Sequence, residues 1–203
     1  MAEIPMITPL ASWSWRFAAL APAVLVSETP VAAISVRTTD PGVIDALTLP
    51  GACAISSADG TDAIWLGPDE WLLTRPGIAA HDWLPVLQTS VDAGKSAPGG
   101  TYLADTTGQR TRITLDGPYA ATVLAHGCAI DLSPGRFGDT AAVQTFLAQA
   151  GVIVHRENSG FALYVRSSFA DYLAAWIVDA ATEYTATTES PTAQRSGMSA
   201  RML

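Results

Sequence analysis

Two adjacent carboxylates, Asp69 and Glu70, are the residues whose types most directly suggest acid/base chemistry. Such a pair works as general acid and general base only if both side chains face one reacting group. Gly67 and Pro68 precede them, and these residue types mark a turn between strands. Neighbours on a strand point to opposite faces. The stretch therefore predicts a β-hairpin, with Asp69 in the turn and Glu70 solvated, rather than a catalytic pair.

The three histidines fall beside a predicted helix start (His81), at a predicted helix end (His126) and in a predicted strand (His155). His126 lies two residues before Cys128, which suggests a Cys/His nucleophile. However, a histidine at a helix C-terminus interacts favourably with the helix dipole, and Gly127 suits the residue that follows a helix. We therefore interpret this segment as a helix end.

The two cysteines, Cys53 and Cys128, are too few and too far apart in sequence for a disulfide framework or a zinc site. Free cysteine is among the most frequently buried residue types. We expect both to be buried thiols.

Residues 105–110, Asp-Thr-Thr-Gly-Gln-Arg, form a polar run. They could bind a ligand through hydroxyl groups and a guanidinium, or they could form a turn between strands. The sequence contains no glycine-rich dinucleotide motif, no Walker motif and no His/Cys/carboxylate cluster with metal-ligand spacing. We expect no catalytic, cofactor-binding or metal-binding residue in this chain.

Composition excludes some classes of partner. The 203-residue chain has a formal net charge of −8 and a single lysine, Lys95, which argues against nucleic-acid binding. The longest apolar run, residues 17–26, is interrupted by Pro22 and is too short to span a bilayer. Glu3 stands where a signal peptide carries basic residues. We expect a cytoplasmic protein that does not enter a membrane.

Composition also divides the chain into three regions. Residues 1–29 are rich in Ala, Pro and Trp and predict an extended arm or an added short helix, which packs its aromatic residues on this chain or on another. Residues 30–185 alternate strand and helix signals. Residues 186–203 are rich in Thr, Ser, Ala and Pro, and we predict a disordered tail.

The central region repeats one plan in two halves, about 30–100 and 101–185. Each half predicts a strand, a short helix, a hairpin and a longer helix. The predicted elements are 31–36, a helical stretch to 47, 64–74 and 81–91 in the first half, and 111–115, a helical stretch to 125, 152–165 and 169–184 in the second. This order predicts an α+β fold of two ferredoxin-like β-α-β-β-α halves.

The last predicted helix has the clearest periodicity, because seven apolar residues share one face at a period of 3.6 residues. They are Phe169, Tyr172, Leu173, Trp176, Ile177, Ala180 and Tyr184. Ser167 or Ser168 could cap its first turn. The segments 152–154 and 162–165 are continuously apolar, which predicts a sheet that is covered on both faces or bears a subunit.

Large aromatic residues near the N-terminus and around the first hairpin need either a core or a partner to cover them. For Trp71 and its neighbour Trp65 both possibilities stay open. The candidate subunit-interface residues are Trp13, Trp15, Phe17, Trp65 and Trp71.

Four stretches carry a resemblance to a known family. They are 15–22 (Trp-Arg-Phe-Ala-Ala-Leu-Ala-Pro), 66–73, 105–107 with Arg112 leading to 127–132, and 166–172. In this order the chain resembles the gamma subunits of heterotetrameric sarcosine oxidase over most of residues 10–185. It is distantly similar to the folate-binding aminomethyltransferase T-protein fold.

The resemblance implies a non-catalytic structural subunit in a complex with alpha, beta and delta subunits. Such complexes oxidatively demethylate sarcosine to glycine, giving hydrogen peroxide and formaldehyde or 5,10-methylenetetrahydrofolate. FAD, FMN, NAD and zinc are then expected in the partner subunits and none in this chain. The alternative is a stand-alone folate-binding protein for one-carbon transfer, although such enzymes are longer and the basic residues expected around a folate tail are scarce here.

Overall fold

The structure is a computed structural model that describes residues 8–44, 47–93 and 100–185. The tail predicted to be disordered lies outside these residues. The strands are β1 (Leu25–Glu28), β2 (Val31–Arg37), β3 (Ile55–Ala58), β4 (Thr61–Gly67), β5 (Glu70–Pro76), β6 (Tyr102–Asp105), β7 (Arg110–Asp116), β8 (Ala142–Leu147), β9 (Ala150–Glu157) and β10 (Gly160–Arg166). The α-helices are α1 (Ser14–Ala18), α2 (Ala80–Ala93), α3 (Ala120–Ala125) and α4 (Ala170–Thr185).

The strands form two five-stranded antiparallel sheets, which confirms the α+β class and the two-part plan. The first sheet has the order β3-β4-β5-β2-β6, and the second has the order β1-β7-β10-β9-β8. Two edge strands come from outside the half whose sheet they join. β1, from the N-terminal arm, pairs with β7, and β6, from the second half, pairs with β2. The two halves are therefore tied together by main-chain hydrogen bonds.

Side-chain alternation gives each sheet two buried faces. In β2, Ala32, Ile34 and Val36 pack with α2 on the outer face, whereas Ala33 points toward the second sheet. All but the last residue of β10 are buried, as expected for a strand covered on both sides. The core between the sheets contains Ala33, Ile55, Ile64, Leu72, Ala142, Ile153 and Tyr164. The prediction of a doubly covered sheet is confirmed, and both covers belong to this chain.

The hairpin predicted around residues 67–70 is present as β4 and β5. Its two-residue turn contains Pro68 and Asp69, and Asp69 adopts the positive φ of 58°. Gly67 ends β4 beside an irregularity in the register. Aspartate tolerates the left-handed region better than most residues, so it supplies the conformation that a glycine usually provides in such turns.

The N-terminal arm packs on this chain's own second half. A 3₁₀ turn at Ala11–Trp13 leads into α1, and then β1 joins the sheet. Leu10, Phe17 and Leu20 are buried in the same core as α3 and α4. The described part of the arm is thus an integral part of the fold.

The final helix begins after a 3₁₀ turn at Ser167–Phe169, and neither predicted serine cap forms there. Its buried face consists of Ala170, Leu173, Ala174, Ile177 and Ala181. The predicted stripe was wrong at Phe169 and Tyr172, which are exposed. The alanines allow close approach of the helix to the sheet, so the aromatic residues lie at the margin of the contact.

Two further local predictions need correction. The short helix predicted up to residue 47 is not seen at residues 41–44, which form a turn, and residues 45–46 lie outside the described residues. The second half contains an additional hairpin, β8–β9, whose first strand pairs with β9 from Ala142 to Leu147. The alternation of polar and apolar residues in β8 is irregular, so it lacked a clear strand signal.

Trp71 provides a test of the first-half core. Its side chain is 5% exposed, and its Nε1–H donates to the carbonyl oxygen of Pro50 at 2.8 Å. We predict that Trp71→Ala lowers the free energy of unfolding by about 3–5 kcal/mol, because a large cavity replaces the ring. Trp15→Ala is the matched control, since Trp15 is 67% exposed, and should change stability by about 0.5 kcal/mol or less. Denaturant unfolding measures both, and equal losses would contradict the burial of Trp71.

Candidate functional site

The interface between the sheets contains a group of polar side chains. Tyr164 Oη and Thr74 Oγ1 share a hydrogen bond of 3.0 Å, which joins β10 of the second sheet to β5 of the first. Arg112 is 7% exposed and forms an ion pair with Glu157. Burial alone lowers the pKa of Arg112, but Tyr164 and Glu157 outweigh it and raise that pKa above its ordinary value. These contacts satisfy buried polar groups. The Tyr164–Thr74 bond joins the two sheets, whereas the Arg112–Glu157 pair links β7 and β9 within the second sheet.

His155, on β9, belongs to the same interface and is 3% exposed. Its Nδ1 lies 2.8 Å from the carbonyl oxygen of Arg156, so Nδ1 carries the proton in the neutral ring. Within the described part of the chain, Nε2 has no hydrogen-bond partner. Burial lowers the pKa of His155, with opposing effects from the Arg156 carbonyl, Asp62 and Glu157 and a further lowering by Arg112. The ring is therefore neutral near pH 7.

This burial predicts a pH dependence of stability. Unfolded histidine titrates near pH 6.5, whereas the folded pKa of His155 is lower. Below about pH 6.5 the unfolded chain binds more protons than the folded chain, so the free energy of unfolding decreases as the pH decreases. We predict that His155→Phe flattens the slope of unfolding free energy between about pH 5 and 7.5. The exposed His81 provides the control. His81→Gln replaces a histidine whose side chain is 82% exposed, and a slope in His155→Phe no flatter than the slope in His81→Gln would contradict the assignment.

His126 caps the end of α3, as predicted. Its Nε2 lies 2.7 Å from Tyr184 Oη and 3.5 Å from a carboxylate oxygen of Glu183, so the ring engages α4. Gly127 serves close packing rather than a positive φ. A Cβ on Gly127 would lie 2.6 Å from the Trp176 ring and 2.9 Å from the backbone nitrogen of Ala148. The segment is a helix end packed against α4.

The prediction of buried thiols was wrong for both cysteines. Cys53 is exposed and Cys128 is partly exposed. Cys53 has a positive φ of 56° in a turn before β3, where its carbonyl oxygen accepts from the backbone N–H of Ala142. Both residues lie outside the named strands and helices. Residue type alone did not indicate that position.

The carboxylates of the first hairpin are separated as expected, but Glu70 is not simply solvated. Its side chain forms an ion pair with Arg37 across the β2–β5 pair, with a distance of 2.9 Å. Asp69 stays in the turn. His81, at the second position of α2, is exposed and lies 3.5 Å from a carboxylate oxygen of Asp82.

The polar run 105–110 connects the two sheets. Asp105 ends β6 in the first sheet, and Arg110 begins β7 in the second. Between them, Thr106 and Thr107 hydrogen-bond to the backbone of Ala33. The same run lines a cavity of about 780 Å³, together with the start of α2 and the segment before β2. The turn interpretation is therefore correct for this run, and the run also forms a cavity wall.

An exposed group of aromatic and charged residues lies where the arm meets α4. The Arg16 guanidinium carbon is 4.9 Å from the Trp13 ring centroid and 5.1 Å from that of Trp15. Trp13 Nε1–H donates to Asp171 Oδ1 at 2.8 Å. The neighbouring rings of Phe169 and Tyr172 are in edge contact with each other. We call these residues together the arm–helix surface. It consists of Trp13, Trp15, Arg16, Phe169, Asp171 and Tyr172.

The five candidate interface aromatics thus occupy different environments. Phe17 and Trp71 are buried in this chain's own cores and leave little surface for a partner. Trp13 and Trp65 are partly buried, and Trp15 is mostly exposed. Within residues 8–44, 47–93 and 100–185, no group of three or more His, Cys, Asp or Glu could hold a metal ion. None of the helices described there is long and apolar enough to cross a membrane.

Comparison with known proteins identifies relatives over most of the chain. The family model "Sarcosine oxidase, gamma subunit family" matches residues 32–183. The chain is 36% identical over 141 residues to sarcosine oxidase subunit gamma of Corynebacterium sp. (strain U-96), covering 68% of this chain and 65% of that protein. It is 35% identical over 137 residues to the Arthrobacter sp. protein of the same name, covering 65% and 62%. The matches thus span slightly less than two thirds of these relatives.

Structural comparison agrees. A chain of the heterotetrameric sarcosine oxidase from Corynebacterium sp. U-96, in complex with pyrrole 2-carboxylate, superposes with a TM-score of 0.77 at 28% identity. The match covers 89% of this chain and 96% of that one. Aminomethyltransferase T of the glycine cleavage system from Bartonella henselae shares the fold, with a TM-score of 0.55 at 15% identity over 86% of this chain and 50% of that one. The family model, the sequence relatives and the oxidase structure therefore agree, and the chain belongs to the sarcosine oxidase gamma subunit family.

Proposed function

We propose that this chain is the gamma subunit of a heterotetrameric sarcosine oxidase. The complex oxidatively demethylates sarcosine to glycine in the cytoplasm, giving hydrogen peroxide and formaldehyde or 5,10-methylenetetrahydrofolate. The observation that carries the proposal is the structural match, which extends over 96% of a chain from a heterotetrameric sarcosine oxidase. A match of this extent means that nearly the whole architecture of that subunit has a counterpart here.

We assign this chain a structural role, with FAD, FMN and NAD held by alpha and beta subunits and zinc by a delta subunit. The contacts made by its polar residues support this role. Arg112 and Glu157 form an ion pair within the second sheet, and Tyr164 and Thr74 share a hydrogen bond between the sheets. His126 binds the end of α4. Each of these groups stabilises the fold of the subunit.

The arm–helix surface is our candidate for the contact with a partner subunit. Tryptophan, tyrosine and arginine are enriched at the energetic centres of protein interfaces. Trp15 combines the largest exposed ring of this surface with a neighbouring guanidinium. Trp13 is already anchored to Asp171, so part of the surface is held in place before association. Such preorganisation reduces the entropy lost on binding.

Because the arm also contributes to the core, its deletion is a poor test of assembly. Removing residues 1–22 would take Leu10, Phe17 and Leu20 out of the second-half core. A point substitution at an exposed ring leaves that core intact.

We predict that Trp15→Ala lowers the recovery of the partner subunits with tagged chain by about tenfold, as expected when an interface loses a central aromatic contact. The matched control is Tyr102→Ala, because Tyr102 is 69% exposed on β6 of the first sheet. Affinity purification from the native host, with identification of the co-purifying chains, measures both.

Complex that still assembles with Trp15→Ala should retain wild-type sarcosine-dependent peroxide formation per bound flavin. Loss of turnover in intact complex would contradict a purely structural role. Equal recovery with the Trp15 and Tyr102 variants would contradict the assigned docking surface. Recovery of the wild-type chain alone, with folate bound, would favour the stand-alone one-carbon-transfer protein.

A further inference from the structure

We propose that the cavity between the two sheets is a binding site for a small organic carboxylate, with Arg110 as its anchor. This inference concerns a ligand site in the gamma chain itself and does not depend on the proposed function. The cavity measures about 780 Å³, within the range of small-molecule sites. It lies at the connection between the halves, where β6 of the first sheet leads into β7 of the second.

Most of the charged side chains in the cavity wall already have a partner within the chain. Glu28 accepts from the backbone N–H of Leu10, and Asp105 accepts from that of Thr107. Arg112 is paired with Glu157 outside the lining. His81 lies beside Asp82. Each of these titratable side chains has a partner within the chain.

Arg110 differs from them. Among the residues that the structure describes, its guanidinium has no hydrogen bond and no ion pair. Its partner in the β7–β10 register is Arg166, another cation. Burial lowers the pKa of Arg110, Arg166 lowers it further, and Glu70 offsets part of this effect. A partly buried cation beside a like charge is unfavourable unless an anion joins it.

The neighbours of Arg110 indicate the class of anion. The guanidinium fork matches the two oxygens of a carboxylate. Several lining residues are apolar, namely Pro9, Pro30, Val31, Ile78 and Ala79. Three of the hydroxyl groups nearest Arg110 in sequence or register are already engaged: Ser167 donates to the Gly108 carbonyl oxygen, Thr111 donates to Ser167, and Thr107 accepts from the backbone N–H of Ala33. A carboxylate with an apolar body fits these surroundings better than inorganic phosphate.

The test uses the full chain and the probe 2-naphthoate, with the neutral 2-naphthamide as a matched ligand of the same shape. We expect saturable binding of 2-naphthoate at millimolar concentrations or below, and about tenfold weaker binding of the amide. Nuclear magnetic resonance locates the probe through shifts of the backbone amides of Ile78, Gly108 and Thr111.

Substitutions distinguish binding by the Arg110 guanidinium from a nonspecific effect of the chain's positive charges. Arg110→Gln should weaken 2-naphthoate binding about tenfold or more, and Arg110→Lys should bind with intermediate affinity, because it keeps the charge but loses the fork. Arg136→Gln removes an exposed arginine that does not line the cavity and should bind like wild type. Circular dichroism checks that each variant is folded, and Arg110→Lys preserves the test if Arg110→Gln does not fold.

Three outcomes would overturn the proposal. These are absence of binding up to about 10 mM, equal binding of the amide, and equal binding by the Arg110→Gln and Arg136→Gln variants. The proposed subunit role can fail while this proposal holds, since co-purification and probe binding are separate measurements.

Discussion

The face-to-face packing of the two sheets is the contact on which the rest of the structure depends. Each sheet is covered by helices on its outer face, so the inner faces must bury one another. Most of that interface is aliphatic, and its largest side chain is Tyr164. A buried phenol needs a hydrogen-bond partner. Thr74 supplies one from the opposite sheet, so this bond links the two sheets directly.

The exchange of edge strands reinforces this arrangement. β1, from the N-terminal arm, pairs with the second-half sheet, and β6, from the second half, pairs with the first-half sheet, so each sheet includes a strand from outside its own half. The connection from β6 to β7 must consequently pass from one sheet to the other. That passage forms a wall of the large cavity and brings Arg110 and Arg112 to it. The cavity therefore follows from the topology.

Local sequence signals predicted much of this architecture. The Gly-Pro-Asp turn, the apolar strand segments and the periodicity of α4 each depend on residues close in sequence, so the order of most elements could be predicted. The strands that pair with β1 and β6 are distant in sequence, and the alternation of polar and apolar residues does not indicate which strands pair. The same limitation applies to the site. Arg110 and Arg112 share one face of β7 by simple alternation, but only the folded chain shows that Glu157 pairs with Arg112, whereas no residue that the structure describes pairs with Arg110. Burial of Phe17 and exposure of Cys53 likewise depend on packing between distant segments.

These features support the proposed structural role. The chain folds around its own cores, joins its sheets through the Tyr164–Thr74 hydrogen bond, and presents the arm–helix surface at the edge of the second half. Native mass spectrometry of the complex purified from the host tests this account most directly. We predict one copy of this chain in an assembly with three other kinds of polypeptide. Detection of the chain only as a free monomer, alongside an active sarcosine oxidase that lacks it, would contradict the account.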